Sequence, residues 1–187
     1  MAVGCSSSVN FMLGRYSLGP GAPTLVLEEP LTVAQGELVA VIGSVGSGKS
    51  SLLKAFLGEL PGTALLAPPR DVAYCSQQPW VPEGRSLLEV VCGVWAQHHV
   101  AFPQAVDEKA FSQALKVACV DFADAEDEVA AGSLSGGQQA RLALARAMYK
   151  AMSGSACACV LDDVTAALDP QAEEVAVQAL IGSKKGL

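Results

Sequence analysis

Long apolar runs are missing from this chain of 187 residues. Its longest runs, such as Leu38–Ile42 and Ala156–Leu161, are strand-sized and far short of the ~20 residues that a membrane span needs. The N-terminus has neither a basic start nor an unbroken apolar segment, so it shows no signal-peptide pattern. The chain is expected to be soluble, which is compatible with service to a membrane protein. CxxC pairs are missing too. The six cysteines (Cys5, Cys75, Cys92, Cys119, Cys157, Cys159) read as reduced thiols of an intracellular protein rather than as metal or disulfide ligands. Cys157 and Cys159 alternate on an apolar run and are expected on one side of a buried strand. Positive charge is scarce: 12 Lys and Arg against 19 Asp and Glu leave a net charge of −7. That balance argues against broad attraction to nucleic acid or anionic lipid. Phosphate binding at one local site stays open, because backbone N–H groups need no net positive charge.

Apolar material is plentiful, at 51% hydrophobic against 17% charged residues, which excludes a disordered or low-complexity chain. The length suits about one domain. No internal repeat is visible. Residues 1–24 are rich in Ser, Gly and Pro, with Val9–Leu13 a possible edge strand. Thr24–Leu27 and Leu31–Val33 read as short strands before a turn at Gln35–Gly36–Glu37. Leu38–Ile42, continuously apolar, predicts a strand buried on both faces of a parallel sheet. A helix follows, with Leu52, Leu53, Phe56, Leu57 and Leu60 at helical spacing and Pro61–Gly62 as its stop. Asp71–Ser76 predicts a further strand, and Pro79–Val100 mixes loop signals with short apolar pieces. Asp107 is a candidate N-cap for a helix with the stripe Ala110, Phe111, Ala114, Leu115 and Ala118. After the acidic stretch Asp121–Glu128, Ser135 can cap a helix striped by Ala140, Ala143, Leu144, Ala147 and Met148. The Ala156–Leu161 strand ends in two aspartates. Asp169 and Pro170 then suit the N-cap and first position of a last helix ending at Gly182. Strands alternating with helices in this way predict an α/β domain.

Three motifs carry chemistry. Gly43, Ser44, Val45, Gly46, Ser47, Gly48, Lys49 and Ser50 match GxxxxGK[ST] in full, with a strand before and a helix after. The glycines let successive N–H groups turn inward onto a phosphate, and the helix N-terminus adds partial positive charge. Lys49 would reach the β- and γ-phosphates and the Ser50 hydroxyl would ligate Mg²⁺. The bland alternative is an ordinary Gly/Ser turn. In the second motif, Cys157–Asp163, an apolar strand delivers Asp162 to its C-terminal end, where Mg²⁺ bound to a nucleotide needs a carboxylate. Asp163 follows where a base could orient an attacking water; the alternative is a simple turn opened by two aspartates. The third motif, Leu134-Ser135-Gly136-Gly137-Gln138, is a glycine-rich helix start. It forms a second phosphate-binding device with N–H groups and a hydroxyl ready for an anion.

LSGGQ, lying between the glycine-rich loop and the strand ending in Asp162, resembles the signature of ATP-binding-cassette (ABC) ATPases. Tyr74–Trp80 resembles the family's Q-loop, with Gln77 as its glutamine and Gln78 as the alternative, and Ala166–Asp169 its D-loop. GSVGSGKSSLLKAFLGEL, AYCSQQPW and LDDVTAALD look most like the first nucleotide-binding domain of subfamily C, the multidrug-resistance-associated transporters. The resemblance covers residues 16–187. It implies a P-loop NTPase core with a parallel sheet, N-terminal antiparallel strands and a helical subdomain inserted at about residues 80–150. It implies ATP and Mg²⁺ as cofactors: phosphates on Gly43–Ser51 (Ser51 included), metal on Ser50, Gln77 and Asp162, and catalysis by Asp163 and Gln77. The partners implied are a second such domain, head to tail across ATP, and transmembrane domains on whose cytosolic side the chain would sit; no nucleic acid is expected. Ser135, Gly136, Gly137 and Gln138 would then serve the partner's nucleotide. The family stacks adenine on an aromatic ring, for which Tyr16 is the nearest candidate against a plain strand-surface role. Trp80 reads as packing, His98 and His99 as solvated surface, and Arg141 and Arg146 as helix surface with salt bridges. Other readings are a soluble ABC ATPase and a regulatory module that holds ATP without turnover.

Asp163 stands where the family usually has Glu, which is typical of that first domain. A histidine expected about twenty residues beyond the D-loop lies past Leu187, so the chain is expected to be an incomplete domain. The stretch between Cys119 and Leu134 looks short, and Trp95–Gln104 looks inserted.

Overall fold

A computed structural model describes residues 8–11, 14–17, 19, 21, 24–29, 31–64, 71–93, 106–166 and 168–182. Two compact units form, one within Met1–Val72 and one over Ala73–Gly182. The first unit carries β1 (Ser8–Phe11), β2 (Gly14–Ser17), β3 (Thr24–Leu27), β4 (Leu31–Ala34), helix α1 (Lys49–Phe56) and β5 (Gly62–Ala64). β1 pairs antiparallel with β4, Val9 opposite Val33. β2 lies between β3 and β5, antiparallel to both. Along β2 the pleat turns Gly14 and Tyr16 inward and Arg15 and Ser17 outward. Tyr16 packs on Ala55, Leu25, Leu27 and Leu60, a small core between this sheet and α1.

α1 stops at Leu57, four residues short of Pro61, which corrects the expectation that Pro61–Gly62 end it. Gly58 takes φ 75°, and the amides of Gly58 and Glu59 bond back to the carbonyls of Ala55 and Lys54 at 3.0 and 2.9 Å. This is a Schellman ending, which glycine permits without steric cost.

The second correction concerns Leu38–Ile42. No ladder among the described residues includes it, and Leu38, Val39 and Ile42 are 52%, 39% and 92% exposed. An apolar run states what needs burying, but a strand also needs an adjacent edge in register. Among the described residues of its unit the two sheets are β1–β4 and β3–β2–β5, and neither pairs with this run.

The second unit contains β6 (Val72–Cys75), β7 (Arg85–Ser86), α2 (Leu87–Cys92), α3 (Glu108–Val117), β8 (Glu128–Val129), α4 (Gly136–Met152), β9 (Ala158–Leu161) and α5 (Pro170–Gly182). β6 pairs with β9, and the Asp162 amide donates to the Cys75 carbonyl at 3.0 Å. That bond joins the C-terminal ends of both strands, so they run parallel, as the sequence predicts. β7 and β8 form a short antiparallel pair. α3 begins as expected, with Asp107 Oδ1 accepting the Ala110 amide at 2.9 Å and Ala110, Ala114 and Ala118 buried. α4 buries more than its predicted stripe: Leu142 and Ala145 are inside as well, because α2, α3 and β9 cover several of its sides. α5 spans the predicted residues.

On β9, Val160 is buried while Cys159 is exposed and Cys157 half-buried. Cys157 precedes the strand, and the residue β9 buries most fully is Val160 rather than either cysteine. Met12 and Leu13 of the predicted edge strand, Cys5, the Trp95–Gln104 stretch with His98 and His99, Ala167 and residues 183–187 lie outside the described residues. No described helix is long and apolar enough to cross a membrane.

Candidate functional site

The glycine-rich loop leads into α1 through two left-handed residues, Gly46 at φ 79° and Gly48 at φ 94°, where a side chain would be strained. A Cβ on Gly43 would lie 2.6 Å from Ser47 Oγ, so that position also needs a glycine unless the serine moves. The Ser47 amide closes the turn on the Ser44 carbonyl at 3.2 Å. Lys49 Nζ bends back and donates to the carbonyls of Gly43 and Ser44, both at 3.0 Å. α1 starts without a side-chain cap and without an acid in its first turn, so no carboxylate of its own first turn offsets its positive end. A cationic head on neutral carbonyls, beside an uncapped helix start, fits an anion such as a phosphate chain. Ser50 and Ser51 sit half-buried in the first turn, while Val45 at the loop tip is fully exposed.

In the second unit the ends of β6 and β9 bring two predicted residues together. Gln77 Nε2 donates to Asp163 Oδ2 at 3.3 Å. Ser76 Oγ, donating to the Gln78 carbonyl at 2.6 Å, fixes the turn that carries Gln77. Asp162 is 6% exposed, whereas Asp163 is exposed and left-handed, at φ 52°. A buried carboxylate at the end of a parallel strand suits a cation, and an exposed one beside it suits work on water. Behind them the Cys75 thiol is pushed up to about 11, mainly by burial, with the nearby Arg146 charge opposing the shift. Ser50, the third predicted metal ligand, belongs to the first unit.

The LSGGQ segment forms a capping box. Ser135 Oγ accepts the Gln138 amide at 3.2 Å, and Gln138 Oε1 accepts the Ser135 amide at 2.9 Å. The serine oxygen accepts in this box, which leaves its O–H available to donate to an anion. The amides of Gly136 and Gly137, at the first two helical positions, have no intrahelical partner by geometry. Gln139 Nε2 holds the preceding turn by donating to the carbonyls of Ala131 and Leu134 at 3.0 and 3.2 Å.

Tyr16 is corrected. Its ring is 1% exposed and enclosed by Ala55, Leu25, Leu27 and Leu60, so it presents no face to adenine; burial also raises its phenol pKa. Trp80 is 62% exposed rather than packed. The Arg146 guanidinium lies 5.6 Å from its ring centroid and donates to its carbonyl at 2.6 Å. Burial lowers the Arg146 pKa, and the ring face gives the cation partial compensation. Arg141 does make salt bridges, with Asp169 and with Asp121 at 3.8 Å, and also donates to the Cys119 carbonyl at 3.1 Å. Sequence periodicity places both arginines on a helix and gives no sign of these cross-element bonds.

The ABC transporter family profile matches residues 29–166. The chain is 38% identical over 167 residues to the ABC transporter ecdL of Aspergillus rugulosus, a match covering 82% of this chain and 10% of that protein. It is 34% identical over 171 residues to Bile pigment transporter 1 of Saccharomyces cerevisiae, covering 82% and 10% respectively. With ATP-binding cassette sub-family C member 4 of Homo sapiens it shares 38% identity over 150 residues, covering 75% and 10%. The chain belongs to the ABC transporter family, and with it to the P-loop NTPases of mixed α/β build. It spans about a tenth of the length of these curated relatives.

Proposed function

We propose that this chain is the ATP-binding and ATP-hydrolysing domain of an exporter-like ABC transporter, of the kind of the first such domain of subfamily C. The observation that carries this reading is the loop at Gly43–Ser50, where left-handed Gly46 and Gly48 precede an uncapped helix and Lys49 rests on the loop's own carbonyls. On this reading, loop amides and Lys49 take the β- and γ-phosphates, with Ser51 in the same helical turn. Ser50, Gln77 and Asp162 would hold Mg²⁺, which when bound neutralises phosphate charge. Asp163 orients the attacking water, and Gln77, hydrogen-bonded to it, steadies its carboxylate. Ser135, Gly136, Gly137 and Gln138 serve ATP on the loop of a second, head-to-tail domain. Residues 80–150 act as the helical subdomain beside transmembrane domains at the cytosolic face. Asp163 makes this a site that holds ATP well and turns it over slowly.

Removing one charge-assisted phosphate contact costs on the order of 2–3 kcal/mol, about a 30- to 150-fold loss of affinity. Titration of Mg·ATP into the full-length protein and its Lys49→Ala variant tests this. Equal affinities would falsify the reading.

A further inference from the structure

Arg141 joins three elements at one point. It stands on α4, six residues after Ser135. One arm of its guanidinium donates to the Cys119 carbonyl beyond the end of α3, at 3.1 Å, and the other to Asp169 Oδ2. The same aspartate uses Oδ1 to accept the amides of Gln171 and Ala172 at 3.1 and 3.0 Å. One carboxylate therefore caps α5 and fastens it to the LSGGQ helix. The arginine's Nε is buried without an acceptor among the described residues, a penalty tolerated while both arms are engaged. Upstream of Asp169, the Leu168 amide bonds to the Thr165 carbonyl at 3.0 Å and the Ala166 amide to the Asp163 carbonyl at 3.3 Å. The turns that start at Asp163 thus end at Leu168, the residue before the aspartate that Arg141 holds.

We infer that Arg141 is a positioning residue for Asp163, pinning the far end of its turn to the helix that begins with LSGGQ. The inference rests on the functional reading above and adds to it a route from the signature helix to the base on the same chain. A guanidinium is required because its planar fork sends separate N–H arms to two separated acceptors, whereas the donors of a Lys ammonium all radiate from one nitrogen. Without the pin, Val164, Thr165, Ala166 and Leu168 loosen, the carboxylate loses its fixed direction and turnover falls, while the nucleotide's own contacts stay intact.

The test uses the full-length protein, with hydrolysis, Mg·ATP affinity and backbone amide exchange measured together. Arg141→Lys removes the fork. Asp169→Asn keeps the α5 cap, because Asn caps as well as Asp, and removes the charge that Arg141 engages. Each variant should lower kcat about tenfold or more with affinity within about threefold, since small misplacements act on rate rather than on binding. Exchange at the amides of Ala166 and Leu168 should accelerate, and the double variant should be little worse than either single one. Arg141, Asp169, Cys119 and Asp121 line a cleft of about 510 Å³, so millimolar methylguanidinium should partly restore Arg141→Ala. Asp121→Asn, at an 84% exposed side chain, should leave the rate unchanged. Unaltered kcat in both Arg141→Lys and Asp169→Asn overturns the inference, as does a rate loss matched by an equal affinity loss. Wild-type protein that does not hydrolyse ATP removes the functional reading and this inference together, whereas wild-type turnover with insensitive variants removes only the inference.

Discussion

Asp163 occupies the left-handed region at φ 52°, where Asp is tolerated better than longer side chains because its short carboxylate can bond to nearby backbone. The local turn therefore favours Asp, and the proposed chemistry favours reach. Asp is one methylene shorter than Glu, which retracts the carboxylate by roughly an ångström, and displacements of that size can cost about a hundredfold in rate. That equals about 2.7 kcal/mol of barrier, more than the roughly 1–2 kcal/mol that the left-handed region costs an ordinary side chain. Reach should win. Asp163→Glu is expected to raise single-turnover hydrolysis at this site between about tenfold and a hundredfold, with little change in Mg·ATP affinity. An unchanged or slower rate means that Asp163 is not the limiting base.

Two helices end in the same way with different residues, and the difference has a measurable consequence. Just past the C-caps of α1 and α3 stand Gly58 and Cys119, both left-handed, at φ 75° and 52°. At α3 the amides of Cys119 and Val120 return to the carbonyls of Lys116 and Leu115 at 3.2 and 2.9 Å. Glycine fits this geometry without cost, whereas a residue with a Cβ costs roughly 1–2 kcal/mol, against which glycine gives back about 0.4–1 kcal/mol in unfolded-chain entropy. Cys119→Gly is therefore expected to raise stability by roughly 0.5–1 kcal/mol, and Gly58→Ala to lower it by a similar amount. In calorimetry that is a shift of about 1–4 °C in Tm for a chain of this size. A lower Tm for Cys119→Gly would show that its side chain is held by more than the turn. The carbonyl that Arg141 uses belongs to the backbone and survives the substitution.

These ends also mark where the sequence was readable. Local chemistry placed α3, α4 and α5, because Asp107, Ser135 and Asp169 are capping residues followed by periodic apolar stripes. Ser86-Leu87-Leu88-Glu89 is the same kind of signal, and the structure makes it a capping box: Ser86 Oγ accepts the Glu89 amide at 3.3 Å and Glu89 Oε2 accepts the Ser86 amide at 2.9 Å. α2 was missed because six residues are too few for a periodicity to emerge. Leu38–Ile42 failed for the opposite reason: a strand is a relation between two segments, and composition describes one. The glycine loop, LSGGQ and the paired aspartates were legible because each is contiguous. The Gln77–Asp163 and Arg141–Asp169 contacts span 86 and 28 residues, and only folding brings such pairs together.

Across the whole molecule apolar burial is unevenly divided. The second unit holds a continuous core in which Leu87, Val90, Leu142 and Leu144 are fully buried. Among the described residues the first has Tyr16 and Ala55 with three partly buried leucines, and Phe56 buried beside them in sequence, and leaves Leu38 and Ile42 exposed. Local opening free energy follows buried apolar contact, so the first unit should open more readily. The proposed phosphate loop lies in that weaker unit. A ligand that binds only the closed form stabilises it by RT ln(1 + [L]/Kd), about 2.7 kcal/mol at a hundred times Kd. Amides of α1 and β2 should therefore exchange faster than those of α4 without nucleotide. Saturating Mg·ATP should slow exchange in α1 by up to about a hundredfold, with a much smaller effect in the middle of α4. Equal exchange in α1 and α4 without nucleotide would contradict the uneven division of the core. Protection confined to the second unit would mean that the nucleotide is held away from Gly43–Ser50, and the role given to Lys49 would fall with it.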